Sequence, residues 1–235
     1  MPDPATPSLS RTGNLGPIAS GSLSARAYEA MRRGLIEGAF APGQRLVLQD
    51  LANHFGTSIT PAREAAMRLA SEGGLELRSG RFLFVPEMDR ERYLEVRAMR
   101  IELEGLAARV AATRCTAEEL QPLREIQRAY VGADAPEQAE TAARLNRQFH
   151  AGVCRLSGMA LLISHIEQLW VAMGPMLTVF FAPEGQRYFG AEVHDAILDA
   201  LEAGDGAAAE RQIQTDIVNG TARFLAYFDR QEAAR

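Results

Sequence analysis

The sequence predicts a mainly α protein: an N-terminal winged helix-turn-helix of three helices plus a β-hairpin, followed by an all-α bundle of about six helices. Three observations carry this. Arg45 to Pro86 divides into a short amphipathic segment, a turn, a second amphipathic segment and two Leu-, Phe- and Val-rich stretches around a glycine. After Asp89, apolar residues recur at spacings of three and four, with no convincing strand. Gly158, Pro183 and Gly204 punctuate that second half.

Met1 to Gly21 is rich in Pro, Ser, Gly and Thr and lacks the apolar core of a signal peptide, so residues 1–21 are expected to be a disordered tail. Ser24 to Gly38 is amphipathic, with Ala27, Tyr28, Met31, Leu35 and Ile36 inward. Leu51, Ala52 and Phe55 make a short helix of Gln49 to Phe55, which Gly56 ends. Thr60 is the expected N-cap of the next helix and Pro61 its first residue, where the missing N–H costs nothing. That helix faces inward with Ala62, Ala65, Ala66 and Leu69 and stops at Gly73-Gly74. Leu75 to Ser79 and Phe82 to Pro86 read as strands around Ser79-Gly80-Arg81. These elements define an expected domain of residues 22–88.

Residues 89–235 form the expected second domain. Asp89 caps a long helix to Thr113, and Thr116 with Glu119 forms a capping box for a helix to about Val131. Further helices are expected at Glu137 to Leu156, Ala160 to Phe181, Glu184 to Ala203 and Ala207 to about Gln231.

All 25 basic residues are arginine, and the net charge of −5 excludes a protein that coats nucleic acid through bulk charge. Any such contact needs a local patch, for which Arg32, Arg33, Arg45, Arg63, Arg68, Arg78 and Arg81 are available. Cys115 and Cys154 form no disulfide framework, and no apolar run reaches the roughly eighteen residues of a membrane span. A cytoplasmic chain with no membrane partner is expected. The slim second helix of the helix-turn-helix fits a DNA major groove, with Thr60 and Arg63 on its exposed first turn. Arg45 can hold the phosphate backbone, Gly80 lets the wing turn, and Arg81 can reach a phosphate or the minor groove.

Pro42-Gly43-Gln44-Arg45-Leu46, Leu51-Ala52, Phe55-Gly56-Thr57-Ser58, Thr60-Pro61-Ala62-Arg63-Glu64-Ala65 and Leu69-Ala70-Ser71-Glu72-Gly73 together resemble the DNA-binding domain of GntR-family transcriptional regulators. The resemblance implies that Gln49, Ser58, Thr60, Arg63 and Gly80 lie against DNA. One position departs: Ile59 stands where the family usually has a second arginine. Isoleucine cannot bridge a guanine with two hydrogen bonds, so the operator is expected to differ, with a thymine methyl as partner. Downstream, Arg100 to Ala108, Asn146-Arg147-Gln148-Phe149-His150, Leu161-Leu162, Leu169-Trp170, Val193-His194-Asp195-Ala196-Ile197 and Ala203-Gly204-Asp205 resemble the FCD effector-binding domain of the FadR subfamily.

Many members of that subfamily carry Asp, His, His and His on the inner faces of the bundle and hold a divalent metal. This chain has Asn146, His150, His194 and Asp216 at those places. Two imidazoles and a carboxylate still suit Zn, Ni, Fe or Mn, with Asn146 as a weak neutral ligand. The other reading is four inward polar residues satisfied by neighbours or water. Arg100 is the expected effector anchor, since an arginine inside a bundle needs an anion and meets a carboxylate with two hydrogen bonds. An intrahelical pair with Glu104 is the alternative partner. Asn146, His150 and His194 complete the expected effector site. The family's ligands are small carboxylates or fatty acyl thioesters.

The expected function is a ligand-responsive regulator, a repressor of a catabolic operon, that binds a double-stranded operator as a homodimer because one recognition helix spans only a few base pairs. It is not expected to be an enzyme. The rival reading is a metal-dependent enzyme built on His150, His194 and Asp216. His150 and Cys154, one helical turn apart, lack the third group a nucleophilic site needs.

Overall fold

The computed structural model describes residues 23–79, 82–177 and 189–233. The expected tail, Gly80 and Arg81 of the wing, and residues 178–188 lie outside them. The first half comprises α1 (Leu23–Ile36), β1 (Arg45–Leu46), α2 (Leu48–His54), α3 (Ile59–Ser71), β2 (Glu76–Arg78) and β3 (Phe82–Phe84). The second comprises α4 (Arg90–Ala112), α5 (Ala117–Gly132), α6 (Ala139–Leu156), α7 (Ala160–Met173), α8 (Ala191–Glu202), α9 (Gly206–Asn219) and α10 (Thr221–Ala233).

Ala27, Tyr28, Met31 and Leu35 of α1 pack on Ala65, Ala66 and Leu69 of α3, and Leu46, Leu75, Leu83 and Val85 close the core from the sheet side. The hairpin is joined by a third strand that sequence patterning did not show: β1 pairs with β3, Arg45 opposite Phe84 and Leu46 opposite Leu83. Two residues carry no period, so their pairing is decided by the partner strand. Helix α3 begins at Ile59 with Ser58 as N-cap, so Thr60 and Pro61 occupy its second and third positions. Proline is tolerated there because none of the first four N–H groups has an intrahelical partner. At the other end Gly73 takes φ 77°, its N–H reaches Ala70 O at 3.2 Å, and Gly74 N–H reaches Leu69 O at 2.9 Å, a Schellman close.

In the bundle the capping signals operate as the sequence implies. Asp89 accepts from Arg92 N–H at 2.8 Å. Thr116 N–H reaches Glu119 Oε2 at 2.9 Å, and Glu119 N–H reaches Thr116 Oγ1 at 3.3 Å. Helix α4 is central because one face is built of Ala107, Ala108, Ala111 and Ala112, which let neighbouring helices approach closely. Gly105 continues that face, since a Cβ there would stand 2.8 Å from Gln214 Nε2 of α9. Phe149, Val153, Ile197, Leu198, Leu201 and Ile213 complete this core.

Three expected helices differ. Helix α7 gives way after Met173 to a 3₁₀ turn, Gly174–Met176, where Pro175 has no N–H to continue the ladder. Helix α8 starts at Ala191 after Gly190, and the expected start at Glu184 lies outside the described residues. The expected last helix divides at Gly220 into α9 and α10: glycine is a poor helix former, and Thr221 Oγ1 bonds back to Ile217 O at 2.9 Å.

The two halves meet along α1 and α7. A Cβ on Gly174 would lie 1.8 Å from Leu35 O, and one on Gly74 would lie 2.6 Å from Val171 Cγ1. Only glycines permit this approach. Arg32 bonds Glu167 across the seam at 2.8 Å. Met88 of the connecting segment is buried with Tyr93, Met173, Met176 and Phe224. No helix among the described residues is long and apolar enough to cross a membrane.

Candidate nucleic-acid interface and candidate metal centre

Burying Ala62, Ala65, Ala66 and Leu69 turns the opposite side of α3 outward, so Ser58, Thr60 and Arg63 are exposed and Ile59 is half-buried. Arg63 forms no ion pair among the described residues. Gln49 is exposed on α2, with Nε2 donating to Asn53 Oδ1 at 3.0 Å. Arg45 is exposed on β1, its guanidinium 4.2 Å from the centre of the Phe82 ring. These five residues lie on the helix-turn-helix and its sheet; Gly80 and Arg81 fall outside the described residues. The seven-arginine patch narrows. Arg32 and Arg33 line a groove facing α6 and α7, Arg68 pairs with Glu72 at 3.1 Å over the Tyr28 ring, and Arg78 pairs with Glu76 at 2.9 Å.

His150 on α6, His194 on α8 and Asp216 on α9 converge, each contributing one ligand atom within 4.8 Å of the others. All three are buried, with exposures of 2%, 0% and 5%. Each imidazole is steered from behind. His150 Nδ1 lies 2.9 Å from Glu104 Oε2, and His194 Nδ1 lies 3.0 Å from Gln127 Oε1. Both acceptors assign the ring proton to Nδ1 and leave Nε2 for the centre of the cluster, the arrangement that a hydrogen-bond acceptor behind the ring gives metal-binding histidines. His150 Nε2 is 3.0 Å from Asp216 Oδ2, whereas His194 Nε2 stands 3.8 Å from the same oxygen, too far for a hydrogen bond.

The buried His194 Nε2 has no hydrogen-bond partner among the described residues. An orphaned lone pair beside a carboxylate and a second imidazole is the observation by which these residues fit a divalent cation. In the absence of metal the trio is held by charge. Burial disfavours an ionised His150, but hydrogen bonds to Asp216 and Glu104 outweigh it and push its pKa up to about 9. Burial likewise opposes Glu104, yet the charge of Arg100 and the bond to His150 draw it down to about 2. Asp216 is lowered despite burial by both histidines, and His194 is lowered chiefly by burial.

Beside the trio lies a cavity of about 90 Å³ whose walls include Arg97, Arg100, Asn146, Arg147, Trp170 and Phe224. His150 and Asp216 line it too, and His194 stands behind them in the trio without lining it. Arg100 Nε bonds Glu104 Oε1 at 2.7 Å, so the intrahelical pair is formed. Glu104 is more than a surface partner: it is fully buried and also holds His150 and the Trp170 indole N–H, the latter at 2.9 Å. Sequence reasoning missed this role, and those of Gln127, Arg147 and Trp170. A signal existed for Glu104, the one acidic side chain on the face of α4 that carries Ala107, Ala108 and Ala111. His165 bonds Leu161 O on the surface at 2.8 Å, apart from the cluster. Burial raises the Cys154 thiol well above its usual range, against a thiolate beside His150.

Comparison with known proteins agrees with this architecture. The gntR family of bacterial regulatory proteins matches residues 23–85, and the FCD domain matches residues 95–219. The HTH-type transcriptional regulator McbR of Escherichia coli (strain K12) is 35% identical over 156 residues, 66% of this chain and 71% of that protein. The HTH-type transcriptional repressor RspR of the same organism is 25% identical over 184 residues, 78% of this chain and 81% of that one. The solved structure of E. coli McbR/YncC superposes with a TM-score of 0.79 at 31% identity, covering 88% of this chain and 99% of the other.

Proposed function

The chain belongs to the GntR family of bacterial regulatory proteins, carries an FCD domain and is a DNA-binding transcriptional regulator; from that premise we propose a metabolite-controlled repressor of a catabolic operon. Residues 22–88 read the operator and residues 89–235 bind the effector. Two copies act together on a two-fold operator, with Thr60 and Arg63 at base edges and Arg45, Gln49, Ser58, Gly80 and Arg81 along the backbone. The effector is a small carboxylate rather than an acyl thioester, because a cavity of about 90 Å³ is far below the ~300 Å³ at which drug-sized pockets begin.

His150, His194 and Asp216 hold a divalent cation, with Asn146 as a fourth, neutral donor. When bound, the cation supplies a positive charge that a carboxylate can ligate. Arg100 receives the same carboxylate, exchanging part of its pairing with Glu104. The observation that carries the proposal is the shared wall: Trp170, Met173 and Gly174 line the cavity, and Gly174 rests on Leu35 of α1. An effector that alters the Trp170–Glu104 contact thereby shifts the surface on which the DNA-reading half sits, and it shifts affinity by as much as it distinguishes the two arrangements.

The test is selection of genomic DNA by the purified full-length chain, with and without candidate metabolites of the neighbouring genes. Enrichment of a two-fold symmetric site that is released by a carboxylate is the expected outcome. An asymmetric site, or release by neutral compounds only, would overturn the reading.

A further inference from the structure

The charges on the cavity wall are not balanced. Among the described residues, Arg100 has an anionic partner in Glu104 at 2.7 Å. Arg97, on the same wall, donates to a neutral oxygen, Thr221 Oγ1, at 2.7 Å. Arg147 makes no ion pair at all among the described residues, and its Nε is buried without a hydrogen-bond acceptor. Asp216 is engaged by His150 at 3.0 Å.

Arg147 is no ordinary surface cation. It projects from α6 between the cavity and the groove that faces α1, and lines both. In the groove, Glu167 is taken by Arg32 at 2.8 Å and approached by Arg155 at 3.8 Å. Glu37 is near enough to favour the charge on Arg147 but forms no hydrogen bond with it. The Arg147 guanidinium is charged at neutral pH, and Arg100 on the same wall repels it. Arg147 is half-buried, and a guanidinium whose Nε–H is shut away without an acceptor is costly unless an anion comes to it.

We infer that the effector is a small dianion and that Arg147, with Arg97, holds its second anionic group while Arg100 holds the first. The inference rests on the reading that this cavity receives a carboxylate, and adds the number of charges the ligand carries. A short dicarboxylate offers two anionic groups, and a phosphate monoester offers the same two charges on separate oxygens of one group. Arg147→Gln removes the second anchor and leaves the first in place.

The experiment is titration of the metal-loaded, full-length chain with acetate, malonate and inorganic phosphate, each followed by thermal shift and calorimetry. At least one dianion is expected to bind about tenfold or more tightly than acetate, the scale of one charge-assisted hydrogen-bonded pair. Malonate leading identifies a dicarboxylate site, and phosphate leading identifies a phosphate ester. Arg147→Gln should erase that advantage while leaving acetate affinity unchanged within about twofold, and Arg147→Lys should keep part of it, which guards against a variant that merely misfolds. Dianions no tighter than acetate, or equal weakening of acetate and dianions by Arg147→Gln, overturn the inference while the carboxylate reading stands. If none of the anions binds, or Arg100→Met leaves every affinity as it was, the carboxylate reading itself fails and takes this inference with it.

Discussion

Trp170 donates its indole N–H to Glu104 across 66 residues of sequence, at 2.9 Å. The same carboxylate accepts from Arg100 and holds Nδ1 of His150. One buried side chain thus ties together the His150–His194–Asp216 trio, the arginine on the cavity wall and a tryptophan on α7. Four residues beyond Trp170, Gly174 lies against Leu35 of α1. On the proposed reading, a ligand that competes for Arg100 would act on that chain of contacts at its centre, and side chains as well as the connecting segment join the two halves of the molecule.

Metal should stabilise the protein through His194. For metal-stripped chain, zinc at about 100 times its dissociation constant adds about 2.7 kcal/mol to unfolding stability, read as a shift in the urea midpoint. His194→Ala and Asp216→Ala should each abolish the shift. His165→Ala, on the surface, should leave it intact. An equal response of wild type and His194→Ala would place the metal elsewhere.

The stability of the metal-free protein should fall at alkaline pH. The folded-state pKa of His150 stands at about 9 against 6.5 for a free imidazole, so the imidazolium is favoured by folding. Its contribution is complete below about pH 6.5 and is lost as pH rises through about 9, to a limit of about 3 kcal/mol. Urea midpoints at pH 6, 7.5 and 9.5 measure the loss, and His150→Gln should flatten it. Metal affinity should move the opposite way, rising with pH, because the cation displaces a proton.

Gly174→Ala should disturb the seam. Its new Cβ would meet the Leu35 carbonyl 1.8 Å away, backbone against backbone, so α1 must move. A loss of about 1 to 3 kcal/mol is expected, together with weaker control of DNA binding by effector. Operator affinity measured by fluorescence anisotropy with and without ligand gives the coupling, and an unchanged ratio would exclude the seam as the route.

Arg63→Ala should weaken operator binding by about 1 to 3 kcal/mol and leave effector affinity unchanged. The side chain is exposed on α3 and far in sequence from the cavity residues, so calorimetry with effector serves as the control. Loss of both activities together would contradict the division of labour between the two halves.

Elements governed by short-range chemistry were legible in the sequence. Asp89, the Thr116–Glu119 box and Gly73 act on backbone groups within a few residues, and their hydrogen bonds follow from local spacing. Periodicity likewise placed Ala62, Ala65, Ala66 and Leu69 inward. Where a boundary depended on competition between neighbours the reading slipped: α3 starts at Ile59 with Ser58 as its cap, and Gly220 divides the last helix. In both places the sequence permits either answer, and packing selects one.

By itself the sequence determined the family, the order of helices, and that His150, His194 and Asp216 were candidates for one centre. Only the tertiary structure decided which groups stand behind them. Glu104 meets His150 and Trp170, and Gln127 meets His194, across separations of 46 to 67 residues. Such pairings depend on how close α4, α5, α6, α7 and α8 approach, which small residues such as Ala107, Ala108 and Gly105 set. Helical periodicity tells which face a side chain occupies, but not which distant side chain will face it, because that choice is made by the packing of the whole core.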